Sequence, residues 1–288
     1  MVDRFRVGNT TIEGIVEGMA PMPMKDFIPS FTLDRMREHL PILAPRFMDE
    51  AGENGNAAFR TWVVRTGKHT VLIDTCVGND KTHPLRPTWH MRTEQIYMQG
   101  LTAHGLSVDD IDFVMCTHLH ADHVGWNTRR ANGRWEPTFP KARYLFTTKE
   151  YEYWAGRHAK ESLPYIAESV LPIVEAKRAD LVKNDHALDD HVTLLPTPGH
   201  TPDHFSVCLG RGGRDAVVTG DMIHTPLQAR YPEISMRADF DPQQSARTRR
   251  TFLERYCDTP TVCCTAHFPS PSAAKITRWG DGFRCTAP

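Results

Sequence analysis

The chain has 288 residues, about a quarter of them charged, a formal net charge of −1 and seven cysteines. Such a balance lacks the basic field that draws a protein onto nucleic acid, and equally the strong acidity of a solvated, disordered chain. The opening MVDRFRVGNTTIEG has no basic stretch leading into an apolar one, and no segment approaches 18 uninterrupted apolar residues; the expectation is a soluble, cytoplasmic protein with no membrane partner.

In chain order, RFRVGNTTIEGIVEG alternates as two strands about a turn at Gly8–Asn9. Residues 19–58 mix Met, Pro and Phe with polar residues and hold no period, which reads as an insertion with one helix near Asp34–His39. FRTWVVRT and HTVLIDTCVGN form a hairpin about Gly67–Lys68, a helix over Thr93–His104 stops at Gly105, and IDFVMCTH is a buried strand. NTRRANGRW is a charged loop and ARYLFTT a further strand, with helices over Lys149–Arg157 and Glu161–Arg178. HVTLLPTPGH, HFSVCLGRGG and DAVVTGD restore the strand rhythm, Pro242–Cys257 is a helix with SARTRRTF as its solvated face, and TVCCTAH is the last strand before a tail ending in KITRWGDGF. The cysteines lie mostly in such apolar runs without CxxC spacing, as reduced structural thiols. One domain over residues 1–288 is the reading adopted.

The segment CTHLHADHVGWN sets His118, His120, Asp122 and His123 within six positions after a strand. His118 and His120 at i and i+2 point to one side, and Asp122 and His123 continue round the turn to a second point. Imidazole and carboxylate suit borderline divalent ions, so the spacing offers ligands to two neighbouring cations. Further donors stand at strand ends: His200 in TPGHTPDH, Asp221 in VVTGDMIH and His267 in VCCTAHFP.

HxHxDH, then GH, then GD, then AH, in that order from about Phe59 to His267, resembles the metallo-β-lactamase superfamily. The resemblance implies an α/β fold, a four-layer αβ/βα sandwich, with His118, His120 and His200 on one metal, Asp122, His123 and His267 on a second, and Asp221 bridging. It implies two divalent ions, zinc foremost with manganese, iron or cobalt as substitutes, and a bridging hydroxide as nucleophile. Asp74 in VLIDT would orient a ligating histidine from behind; capping a turn is its other reading. Asp203 departs from the family's GHTPGH, where a glycine precedes the second histidine.

Within the superfamily, a flavodiiron oxidoreductase would need a flavin domain, and an RNA-processing nuclease an inserted domain and a basic groove. Asp221 argues against true β-lactamases, and the lack of a basic cluster against a glyoxalase II. The layout resembles the branch of N-acyl-homoserine lactonases and methyl-parathion-type organophosphate hydrolases. The leading expectation is a hydrolase of a small lactone or ester, with Asp122 and Asp221 catalytic and Asp122 or a nearby histidine returning the proton. Phosphotriester cleavage or hydrolytic aryl dehalogenation on the same site are the alternatives, and a non-catalytic relative with the same fold stands behind them. Trp89, Trp126 and His224, with Phe146, Tyr151 and Trp154, are candidate pocket walls, and His204 is a further histidine near the site. The partner is a small molecule rather than nucleic acid. For residues 19–58, covering the site, making a homodimer contact and packing down as core are all open.

Overall fold

The computed structural model describes residues 3–30 and 32–288. They form two compact units, one from Arg4–Gly18 and Phe59–His186, the other from residue 3, Met19–Ala58 and Ala187–Pro288. The chain opens with β1 (Arg4–Val7) and β2 (Thr10–Pro23), joined at Gly8. Short helices α1 (Met24–Phe27), α2 (Leu33–Arg37) and α3 (Leu40–Leu43) lead to the hairpin of β3 (Asn54–Arg65) and β4 (Thr70–Ile73). Then come α4 (Ile96–Ala103), β5 (Phe113–Met115), α5 (Ala121–Val124), β6 (Thr128–Ala131), β7 (Arg134–Pro137), β8 (Arg143–Thr147), α6 (Thr148–Glu161), α7 (Pro164–Ser169), α8 (Leu171–Glu175) and β9 (Ala179–Val182).

These strands make a seven-stranded sheet, order β1-β2-β3-β4-β5-β8-β9, in which β4, β5, β8 and β9 run parallel. Parallel strands covered on both faces carry continuous apolar runs, as in VLI, FVM and YLF. Leu72, Val114, Tyr144 and Phe146 bury there against Tyr97 and Leu101 of α4 and Trp154 of α6. Helix α4 ends before Gly105, whose φ of 69° supplies the left-handed turn.

The second unit holds β10 (Val192–Pro196), β11 (Phe205–Leu209), β12 (Ala216–Val218), α9 (Leu227–Arg230), α10 (Pro242–Tyr256), β13 (Val262–Cys264), β14 (Ala273–Trp279) and β15 (Gly282–Thr286). Its six strands lie in sequence order and pair antiparallel except β12 with β13. A parallel pair needs a crossover, and α10 lies within it. Asp241 caps α10 by accepting from the backbone N–H of Gln243 and Gln244 at 3.0 and 2.9 Å, with Pro242 in the first turn.

Of the readings open for residues 19–58, packing is what the structure shows: Met22, Met24, Ile28, Met36, Leu43 and Met48 bury against Leu227, Ile234 and Met236. Four expectations need correction. TVCCTAH is not the last strand, because β14 and β15 follow it and extend the sheet. The expected helix over Glu161–Arg178 is two helices, α7 and α8, with Pro172 starting the second, and its last residues run into β9. NTRRANGRW, read as a charged loop, contains the β6–β7 hairpin, turned by Asn132 and Gly133 at φ 52° and 76°. The face of α10 read as solvated is half core, because Arg249 and Phe252 are buried.

All seven cysteines are free, and Cys76, Cys116, Cys208, Cys263 and Cys264 are buried. Among the described residues no helix is long and apolar enough to cross a membrane.

Arg249 donates to the carbonyls of Met222, Pro232 and Ile234 and to Ser245 Oγ at 2.7–2.9 Å, with the Asp239 carboxylate 3.8 Å away. Burial pulls its pKa down to about 10, opposed by Asp239 and Glu233. Replacing it leaves several acceptors and a buried carboxylate unpaired, so Arg249→Met is expected to cost about 3–5 kcal/mol in urea unfolding.

Candidate metal centre

The first cluster grows from the parallel pair β4–β5. The Asp74 N–H donates to Met115 O at 2.8 Å, which sets Asp74 beside the chain leaving β5. There its carboxylate accepts from Thr117 N at 2.7 Å, from Thr117 Oγ1 and, at Oδ2, from His123 Nδ1 at 2.9 Å. Asp74 itself sits at φ 59°, a left-handed conformation uncommon outside glycine.

The next segment is clamped by backbone pairing: Thr75 N to His123 O, Gly125 N to Cys76 O and Trp126 N to Thr75 O, each 2.8 Å. A Cβ on Gly125 would stand 1.9 Å from Val77 O, so only glycine allows this crossing. Glu150, buried, accepts from Leu119 N at 3.2 Å and Trp154 Nε1 at 2.7 Å and so fixes the middle of the histidine loop.

These bonds assign ring protons. The Thr117 hydroxyl is given to Asp74 Oδ2 at 2.9 Å, so at its 3.1 Å contact with His118 Nδ1 it accepts. His118 Nε2 is then a lone pair, 3.0 Å from His120 Nδ1. His123 gives its Nδ1–H to Asp74, which turns the Nε2 lone pair toward Asp122 Oδ2, 3.8 Å away. The His118 and His123 rings lie 4.1 Å apart.

The second cluster lies on strand ends of the other sheet. His200 follows the turn after β10, where Gly199 at φ 130° lies so close to α10 that a Cβ would stand 2.3 Å from Ser245 N. Its Nδ1 donates to Asp239 Oδ1 at 2.8 Å. Asp221 follows β12, and its N–H donates to His204 Nε2 at 3.0 Å while His204 Nδ1 bonds Thr197 Oγ1 at 2.8 Å. His204 is therefore a buried brace for Asp221. His267 donates Nδ1–H to Ala58 O at 2.8 Å.

Three imidazoles surround the Asp221 carboxylate. His267 Nε2 lies 3.0 Å from Oδ1, and His224 and His200 Nε2 lie 3.1 and 3.3 Å from Oδ2. The ligand atoms of Asp221, His224 and His267 lie within 4.8 Å of one another. A carbonyl only accepts, so His267 must carry its proton on Nδ1, and a neutral His267 turns a bare Nε2 lone pair onto a carboxylate oxygen. Two acceptors 3.0 Å apart repel unless a cation lies between them, and an imidazole–carboxylate donor set is the chemistry that binds zinc, manganese, iron or cobalt. The residues fit a divalent ion.

Without a metal the cluster holds protons instead. Burial works against charge on His200, but the Asp221 and Asp239 carboxylates outweigh it and raise its pKa to about 9. Asp239 is buried too, which opposes ionisation, yet His200 and Arg249 hold its pKa below the usual range. Burial lowers the pKa of His224 and keeps it neutral.

The aromatic candidates fare differently. Trp126 is a correction: it packs in the core, stacked on Tyr97 at 5.1 Å with its Nε1 donating to Glu17 Oε1 at 2.6 Å, because Glu17 also caps Val77 N and draws the indole inward. Phe146 is fully buried in the core on the apolar strand β8, and Tyr151 is half-buried against that core. Trp89 is buried among Phe59, His83 and Arg86. Trp154 sets its edge against His120, ring centroids 5.2 Å apart. Sequence reading missed Asp239, Glu150 and Thr117. Thr117 adjoins the histidine motif and was within reach, whereas Asp239 lies 39 positions from His200 and carried no signal.

Comparison with known proteins settles the family. The model of the metallo-beta-lactamase superfamily matches residues 60–267. The chain belongs to this superfamily. Among curated members of it, an N-acyl homoserine lactonase of Bacillus sp is 31% identical over 119 residues, 41% of each chain. That of Bacillus thuringiensis is 29% identical over 158 residues, 53% of this chain and 54% of the relative. The chain thus spans about half the length of these curated relatives. The lactonase AttM of Azorhizobium caulinodans is 29% identical over 209 residues, 66% of this chain and 72% of that one.

Two solved structures share the metallo-beta-lactamase fold over the whole chain: the hydrolase AbOPH, 21% identical, and AidC, described as a dizinc quorum-quenching lactonase, 19% identical. Each has a TM-score of 0.81 and is covered to 97%. The α/β fold class that the motif order implied is the one found.

The raised pKa of His200 fixes the sign of a pH effect. Its stabilising contribution is full below pH about 6.5 and is lost as pH rises through about 9. Chelator-treated protein is expected to lose thermal stability across that window, and His200→Asn to flatten the slope, as read from Tm against pH.

Proposed function

We propose that this chain is a metal-dependent hydrolase that opens small lactones, with N-acyl homoserine lactones the leading class. The observation that carries the metal part is the convergence of His267 Nε2 and His200 Nε2 on the Asp221 carboxylate, 3.0 and 3.3 Å away, with each ring tied behind through Nδ1 as a metal ligand would be. The substrate class is supported by the lactonase relatives from Bacillus and Azorhizobium.

His118, His120 and His200 would hold one ion, Asp122, His123 and His267 a second, and Asp221 would be shared between them. When bound, the ions supply Lewis acidity and bring the pKa of a water to about 7. The chain's own residues do the rest. Asp74, Asp239 and the Ala58 carbonyl hold three Nδ1–H groups, so that three Nε2 atoms are aimed before any ion arrives, with His200 giving up its Nε2 proton as the ion enters. Asp122, whose side chain keeps 15% exposure beside its nearly buried neighbours, is the carboxylate able to pass a proton to the leaving alkoxide. Water adds to the carbonyl carbon and gives up a proton to Asp122, the ring C–O bond breaks, and that proton passes to the leaving oxygen as the hydroxyl of the hydroxy acid.

The test is metal analysis of protein loaded in turn with zinc, manganese and cobalt. Turnover of a panel follows: N-hexanoyl homoserine lactone, an unsubstituted γ-lactone, an aryl ester and an aryl phosphotriester. Two ions per chain and ring opening of the lactones are expected, with His120→Ala losing metal and activity together. Metal-loaded protein that turns over no member, or a fully active His120→Ala, would overturn the reading.

A further inference from the structure

The three imidazoles around Asp221 are not equivalent. His200 gives its Nδ1 to Asp239 Oδ1 and His267 gives its Nδ1 to Ala58 O, both at 2.8 Å. His224 Nδ1 is buried and has no hydrogen-bond partner among the described residues. A histidine that ligates a metal through Nε2 almost always ties its other ring N–H to a carboxylate or carbonyl. His200 and His267 meet that condition and His224 does not.

The proton of a neutral His224 therefore has one good position. On Nδ1 it would leave a buried N–H unsatisfied and set a bare Nε2 against the carboxylate at 3.1 Å. On Nε2 it is donated to Asp221 Oδ2, leaving only a bare ring acceptor, the smaller penalty. The ring is held in that pose. His224 N–H donates to Gln228 Oε1 at 2.8 Å, Gln228 Nε2 donates to Ile234 O at 3.0 Å, and the ring stacks on that of His267 at 5.4 Å and 12°.

We propose that His224 is a positioning residue for the metal centre, donating Nε2–H to Asp221 Oδ2 and so fixing the carboxylate's rotation, rather than an eighth ligand. Nothing in the seven-residue ligand pattern requires a donor at this place. The inference rests on the reading of Asp221 as a ligand, and it separates two roles that proximity alone merges, since His224 lies as close to Asp221 as the other rings do.

Two measurements test it. Ring ¹⁵N shifts of histidine-labelled protein, read with and without zinc, are expected to show His224 with its proton on Nε2. A proton on Nδ1 in the metal-free protein, or an Nε2 that becomes metal-bound on adding zinc, overturns the proposal. Because the metal-free spectrum already reports the tautomer, this test does not depend on the hydrolase reading.

The second measurement is zinc affinity by chelator competition. His224→Ala is expected to weaken binding about 10–100-fold. His224→Gln, whose amide N–H reaches the place of Nε2–H, should return affinity to within about threefold of the parent, with the visible spectrum of the cobalt-loaded protein unchanged. A glutamine variant as weak as the alanine one, or an alanine variant that binds like the parent, refutes a donor role. A parent that binds no zinc would refute the hydrolase reading, while the ring spectrum still decides the tautomer.

Discussion

An imidazole nitrogen of His267 and a carboxylate oxygen of Asp221 lie 3.0 Å apart because other bonds hold them there. The Ala58 carbonyl takes the His267 ring proton, and His204 accepts from the backbone N–H of Asp221. Each bond is an ordinary one, worth about 1 kcal/mol net. Together they hold the pair in a contact that is satisfied only with a proton or a cation between the two atoms.

The same logic extends outward by one layer. Asp239 orients His200, and the guanidinium of Arg249 lies 3.8 Å from Asp239 while anchoring three backbone carbonyls. A cation fully withdrawn from water is costly, and it persists only where the geometry satisfies its donors. Here one buried arginine links the packing of α10 to the orientation of a ring at the site. In the other unit Glu150 does similar work, joining the indole of Trp154 to the backbone of Leu119 in the histidine loop.

What the sequence disclosed and what it hid follow from range. His118, His120, Asp122 and His123 were legible because four ligand-type residues in one turn have few other uses, and His200, Asp221 and His267 because each ends an apolar run. The strands were legible for the same reason: VLI, FVM and YLF are too apolar to sit anywhere but inside a sheet. Residues 19–58 were not legible. Their methionines bury against Leu227, Ile234 and Met236, about 180 to 215 positions downstream, and so needed no local period. Arg249 and Asp239 were hidden in the same way, because a charged residue on a helix or loop reads as solvated until its partners are known. Trp126 misled by adjacency: it follows the histidines in sequence, yet the buried Glu17 carboxylate turns it inward.

The crossing at Gly125 has a further implication. With no side chain there, two stretches of main chain touch directly, and three backbone hydrogen bonds fasten the end of the histidine loop to residues 75 and 76. A cradle built from main chain rather than from long side chains has little freedom left to lose. An incoming ion meets donors already in place, so its binding energy is not spent on ordering the loop.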